Sequence, residues 1–114
     1  MSNIKEIRVI DFSEYPGPRF KSQGSNSSEE FYNTILKSAF QEVIDNDIDR
    51  LVVNLDGTAG YASSFIDESF GRLLNDFRYD DIKKKLHIVS EEEKSWIDVI
   101  FNETLPQWAN KIAE

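Results

Sequence analysis

Apolar residues change their spacing several times along the chain, and each change marks an element. Over residues 4–12, Ile7 and Val9 fall on one side with Asp11 in line, and Ile10 and Phe12 on the other. That alternation, rich in β-branched residues, predicts a strand. Residues 13–28 hold two prolines, two glycines and five serines, so they read as a loop with a short second strand near Arg19–Lys21. At sixteen residues it is long for a connection, and long connections tend to carry function. Phe31, Ile35, Leu36, Ala39, Phe40, Val43 and Ile44 then recur at helical spacing. Ser27 or Ser28 can cap this helix, Glu29 and Glu30 suit its positive end, and Asp45-Asn46-Asp47 ends it.

Leu51-Val52-Val53-Asn54-Leu55 is a short apolar run between two helical patterns, the signature of a central strand buried on both faces. Asp56 to Ser64 is turn-rich. A second helix follows with apolar Phe65, Ile66, Phe70, Leu73, Leu74 and Phe77, and Ser64 with Asp67 has the form of a capping box. Lys83-Lys84-Lys85 reads as a solvated turn into a third core strand, Leu86-His87-Ile88-Val89, with His87 packed in the core. From Glu91 the helical spacing returns through Trp96, Ile97, Ile100, Phe101, Leu105, Trp108 and Ile112. Pro106 lies inside it and predicts a kink or a junction of two helices.

The order β-(β)-α-β-α-β-α predicts an α/β fold. We expect a small, mostly parallel or mixed sheet of about four strands packed with three or four helices. Residues 1–114 read as a single domain without internal repeats. In such sheets functional groups gather beyond the carboxyl ends of the strands, here Asp11 to Glu14, Asp56 to Ser64 and Ser90 to Glu93.

Charge narrows the partners. Thirteen basic and 21 acidic residues leave a net charge of −8, the opposite of what a nucleic-acid groove or an anionic membrane requires. The chain has no cysteine and one histidine, which excludes disulfides, thiol catalysis and cysteine or histidine-rich metal sites. The first residues lack the apolar run of a secretory signal, and no stretch approaches a membrane span, so a cytoplasmic location is expected. Ser63 has no evident base, so the expectation is a protein that is not an enzyme and needs no cofactor.

Three motifs carry a resemblance: Pro16-Gly17-Pro18-Arg19-Phe20, Ser27-Ser28-Glu29-Glu30-Phe31, and Gly60-Tyr61-Ala62-Ser63-Ser64-Phe65-Ile66-Asp67-Glu68-Ser69-Phe70-Gly71. Together they are similar to a bacterial STAS-like family without an established function, related to the STAS domains of sulfate transporters and anti-sigma-factor antagonists. Counted from Leu55, Ser63 falls where the antagonists carry their phosphorylated serine, and Ser64 on the next position. Ala62 stands in place of their acidic residue, Phe65 in place of a glycine, and Ser28 where the STAS-like family has Gly. The resemblance implies a protein-interaction module whose partner is an anti-sigma factor or a serine kinase with a histidine-kinase-like ATPase fold. Asp56, Gly57, Gly60, Tyr61, Asp67, Glu68 and Arg19 are then the partner-binding candidates.

Physical chemistry supports a switch at Ser63. A hydroxyl at a helix N-terminus lies beside unpaired N–H groups, and phosphorylation there adds roughly −1.5 to −2 charges. Paired serines before a helix also serve as plain caps. Gly57 and Gly60 suit a tight loop and lack the spacing of a nucleotide-binding one. If Glu68 is buried, it needs a partner such as Arg19. A competing reading uses Asp56 with Asp11 and Glu14 as a receiver-like, phosphoryl-accepting or small-ligand site. Against it, Asp-Gly is ordinary turn chemistry.

Overall fold

The computed structural model describes residues 3–113, the side chain of Ala113 excepted. Strand β1 (Ile4–Arg8) runs into a single helical turn, α1 (Val9–Phe12). The first strand is therefore shorter than residues 4–12, and Val9 enters the core from a helix. No strand forms near Arg19–Lys21. That segment makes a 3-10 turn, Lys21–Gln23, closed by the Phe20 N–H donating to Gln23 Oε1 at 3.0 Å.

A long helical run follows as α2 (Ser28–Phe31), a π-helical turn (Tyr32–Leu36) and α3 (Lys37–Asp45). Ser27 caps it, accepting from the Glu30 N–H at 3.0 Å. The preceding loop supplies two more acceptors. Pro18 and Arg19 carbonyls take the N–H groups of Ser28 and Glu29 at 2.8 and 3.1 Å. The loop is thus stitched to the end of a helix whose first N–H groups have no intrahelical partner.

Strand β2 (Arg50–Asn54) lies in the middle of a three-stranded parallel sheet ordered β1-β2-β3, with β3 at Leu86–Val89. Registers pair Ile7 with Val53 and Val53 with Ile88. Because the order never reverses and crossovers are almost always right-handed, both connections fall on one side of the sheet. Accordingly α3 packs on β1 and β2, and α6 (Tyr79–Lys85) on β2 and β3. Leu51, Val53, Leu86 and Ile88 are buried on that side.

The other side stays open. Glu6, Arg8, Arg50 and His87 are exposed, and Val52, Asn54 and Val89 half-buried. This corrects two expectations: β2 is covered on one face only, and His87 lies on the open face rather than in the core. Among the described residues the sheet has three strands rather than about four.

Between β2 and β3 the second helical pattern divides into α4 (Ser63–Gly71), α5 (Leu73–Asp76) and α6. Lys83–Lys85 form the last turn of α6, not a loop, which sets positive charge at the negative helix end. Lys85 Nζ reaches across to donate to the Ile48 carbonyl at 2.7 Å.

The C-terminal run comprises α7 (Ser95–Val99), a π-helical turn (Ile100–Thr104) and α8 (Leu105–Ala113). Here Leu105 N–H bonds to the Ile100 carbonyl. Pro106 has no N–H and crowds the carbonyl four residues earlier. A widened turn just before it accommodates the ring, so the helical run continues without a break.

Candidate functional site

At the carboxyl end of β2 the chain turns sharply, and Gly57 and Gly60 adopt φ of 94° and 125°, a region costly for other residues. Asp56 anchors this loop to the one after β3. Its two carboxylate oxygens accept from the N–H groups of Glu91 and Glu92 at 3.1 and 3.0 Å. Glu92 returns the contact, accepting from Gly57 N–H at 2.8 Å. The Tyr61 hydroxyl donates to the Leu55 carbonyl at 2.6 Å, and its ring meets Trp96 edge-on, with centroids 6.3 Å apart. Burial first, then the Asp56 and Glu92 carboxylates, push this hydroxyl up to about 12 against the lowering contact with Thr58. Between the two loops lies a cavity of about 270 Å³, lined among others by Asp56, Thr58, Tyr61, Glu92, Glu93 and Trp96.

Helix α4 opens beside this loop. Its N-cap residue is Ala62, whose side chain cannot cap, and Ser63 is its first residue. Ser63 is exposed and Ser64 half-buried. The capping box expected from Ser64 and Asp67 does not form, because the helix starts earlier and Ser64 lies inside it, while other groups hold Asp67. Arg19 Nη1 donates to Asp67 Oδ2 at 2.7 Å, and Trp108 Nε1 to Asp67 Oδ1 at 3.1 Å.

Arg19 Nη1 also reaches Glu68 Oε1 at 2.9 Å, and Arg72 Nε binds the other oxygen of Glu68. Glu68 is only 5% exposed, and its two guanidinium partners offset the cost of burying its charge. The Asp67 hydrogen bond, with Glu68 adding, raises the Arg19 pKa above its usual value despite the opposing effect of burial.

The sequence-derived candidates therefore separate into two groups. Asp56, Gly57, Gly60, Tyr61, Ser63 and Ser64 share the loop and the opening of α4. Arg19, Asp67 and Glu68 form an ion network that pins the long N-terminal loop to α4. The burial of Glu68 removes it from any partner-facing set. Other motif positions also serve packing. A Cβ on Gly17 would collide with the Ser25 carbonyl, and one on Gly71 with the Trp108 ring. Ser28 Oγ donates to the Phe65 carbonyl at 2.7 Å and pairs with the Ser69 hydroxyl.

The receiver-like arrangement is not assembled. Asp11 is exposed and paired with Arg8, whose Nη2 donates at 3.0 Å, while Asp56 spends both oxygens on backbone N–H groups. Among the described residues no three or more histidine or carboxylate side chains converge as a metal would require. Glu14 uses its carbonyl to accept from Ala59 N–H at 2.8 Å.

Reading the sequence alone overlooked Trp96, Glu92 and Glu93 as lining residues. Trp96 lies on an apolar helical stripe and so resembles core. The glutamates, although in a loop already marked by its place after β3, carry no local motif.

A one-sided parallel sheet backed by helices, with a glycine-bearing loop feeding a serine at the mouth of the central helix, defines a small α/β domain of STAS-like type. Residues 27–96, more than half of the chain, match the family model described as STAS-like domain of unknown function (DUF4325), and the chain belongs to that family. Comparison with the curated proteins and with the solved structures finds no match. Among the described residues no helix is long and apolar enough to cross a membrane.

Proposed function

We propose that this chain is a non-catalytic, cytoplasmic regulatory module that binds a protein partner through the 56–62 loop and the opening of α4. Phosphorylation of Ser63 controls the contact. The observation that supports this reading most is Ser63 itself, an exposed hydroxyl on the first residue of a nine-residue helix. A phosphate there meets free N–H groups and the positive end of the helix dipole, so it is tolerated without refolding. Its charge is felt instead by whatever docks. By family resemblance the partner is an anti-sigma factor or a serine kinase with a histidine-kinase-like ATPase fold.

Affinity capture from native lysate with wild type, Ser63→Ala and Ser63→Asp, together with phosphopeptide mapping of residues 60–72, tests the proposal. One partner should survive Ser63→Ala and lose at least about tenfold in affinity with Ser63→Asp, because a new charge at a docking face is costly. Indifference of every captured protein to both substitutions removes the switch.

A further inference from the structure

The cavity between the β2 and β3 loops has a consistent chemistry. Its charged lining consists of Asp56, Glu92 and Glu93, and no lysine or arginine lines it. Two of these acids are already committed to holding the loops together, Asp56 through Glu91 and Glu92 N–H and Glu92 through Gly57 N–H. The walls are consequently fixed before anything binds, which lowers the ordering cost of binding.

Two aromatic rings complete the cavity, Tyr61 and Trp96, with their planes 84° apart. Tyr61 is held in place by its bond to the Leu55 carbonyl. Trp96 has a further peculiarity: its Nε1 is buried without a hydrogen-bond partner, the one such side-chain atom found among the described residues. A buried donor left unpaired is unusual, and it marks this ring as packed by protein on its nitrogen side.

Aromatic faces beside carboxylates attract cations. A planar guanidinium suits this arrangement better than an ammonium, since it stacks on a ring while its edge donates to a carboxylate. We infer that this cavity is a subsite for an arginine side chain presented by a protein partner. The inference rests on the interaction-module reading for its biological occupant. The cavity's own selectivity can be measured without any partner.

The test follows the two indole N–H resonances of the ¹⁵N-labelled chain during titration with Nα-acetyl-arginine methylamide. The lysine and citrulline analogues serve as comparisons, and Trp96→Phe supplies the assignment. The Trp96 resonance should shift saturably with the arginine compound, and binding should be at least about fivefold weaker for citrulline, which keeps the shape without the charge. Glu93→Gln, which breaks none of the loop contacts above, should weaken arginine binding about threefold or more. An unmoved Trp96 signal, equal binding of citrulline, or equal binding of lysine overturns the inference. Selective arginine binding alongside a partner indifferent to Ser63→Asp supports this subsite while removing the serine switch. A partner sensitive to Ser63→Asp alongside no arginine binding overturns the subsite alone.

Discussion

Glu68 is a buried charge that helps tie the N-terminal loop to α4, its two oxygens divided between Arg19 and Arg72. Replacing it with Gln leaves Arg72 without its carboxylate partner and Arg19 with Asp67 alone. Because Arg19 and Arg72 retain partial exposure and Arg19 keeps Asp67, the cost should fall below that of a fully buried broken pair, at about 2–3 kcal/mol in urea denaturation. A change below about 0.5 kcal/mol would mean that water already screens the pair. Tyr61 makes a different prediction. Burial pushes its hydroxyl from an ordinary 10.0 up to about 12, so folding favours the neutral form. That stabilisation is complete below pH 10 and is lost as pH rises through the folded value. Tyr61→Phe should flatten the decline of stability between about pH 10 and 12, though not abolish it, because burial also raises Tyr32. An unchanged alkaline profile in Tyr61→Phe would show that Tyr61 is solvated.

Among the elements, the start of α2 shows how a serine-rich loop becomes ordered structure. Ser27 accepts the Glu30 N–H and is fully buried, so water cannot replace its hydroxyl. Ser27→Ala should cost about 1–2 kcal/mol, the upper part of the range for a lost cap. A thermal scan in which Ser27→Ala melts with wild type would refute this. The cap was legible locally, from a serine three residues before a glutamate. The π-helical turn before Pro106 was legible only in part. The proline announced a disturbance, but whether a helix bends, breaks or widens depends on what its flanking turns pack against. Here Ile100, Thr104 and Leu105 are all buried, and the helical run is retained. The division of residues 63–85 into three helices was not legible at all. The apolar spacing continues across Arg72, and Lys83–Lys85 look like a turn until their contacts with Ile48 and Tyr79 are seen.

At the scale of the whole molecule, the sheet has one covered and one open face. Adjacent residues of β3 should therefore respond very differently. Ile88→Ala should cost about 2–4 kcal/mol through the cavity it leaves. His87→Gln should stay within about 0.5 kcal/mol, as exposed substitutions do. Comparable losses at both positions in chemical denaturation would contradict the one-sided packing. The same topology explains where the candidate site lies. With no reversal of strand order there is no crevice between oppositely wound halves, so the carboxyl edge is shaped by loops alone. Asp56 and Glu92 tie those loops together beside the cavity.

What the amino-acid order determined by itself was everything carried by short-range periodicity and local chemistry. The alternation of strand and helix, the Ser27 cap, the tight Gly57–Gly60 loop and the placement of Ser63 at the beginning of a helix follow from neighbours a few residues apart. Motif resemblance added the STAS-like family. Only the tertiary structure decided which face of β2 would be covered, that His87 would be exposed, and that Glu68 would be buried, so that the conditional pairing with Arg19 forms and Asp67, Trp108 and Arg72 join it. It alone brought Tyr61 to Trp96. An apolar period records that a segment has a face to bury. Which surface meets that face depends on chain topology, and pairings between distant charges or rings exist only after the crossovers have closed.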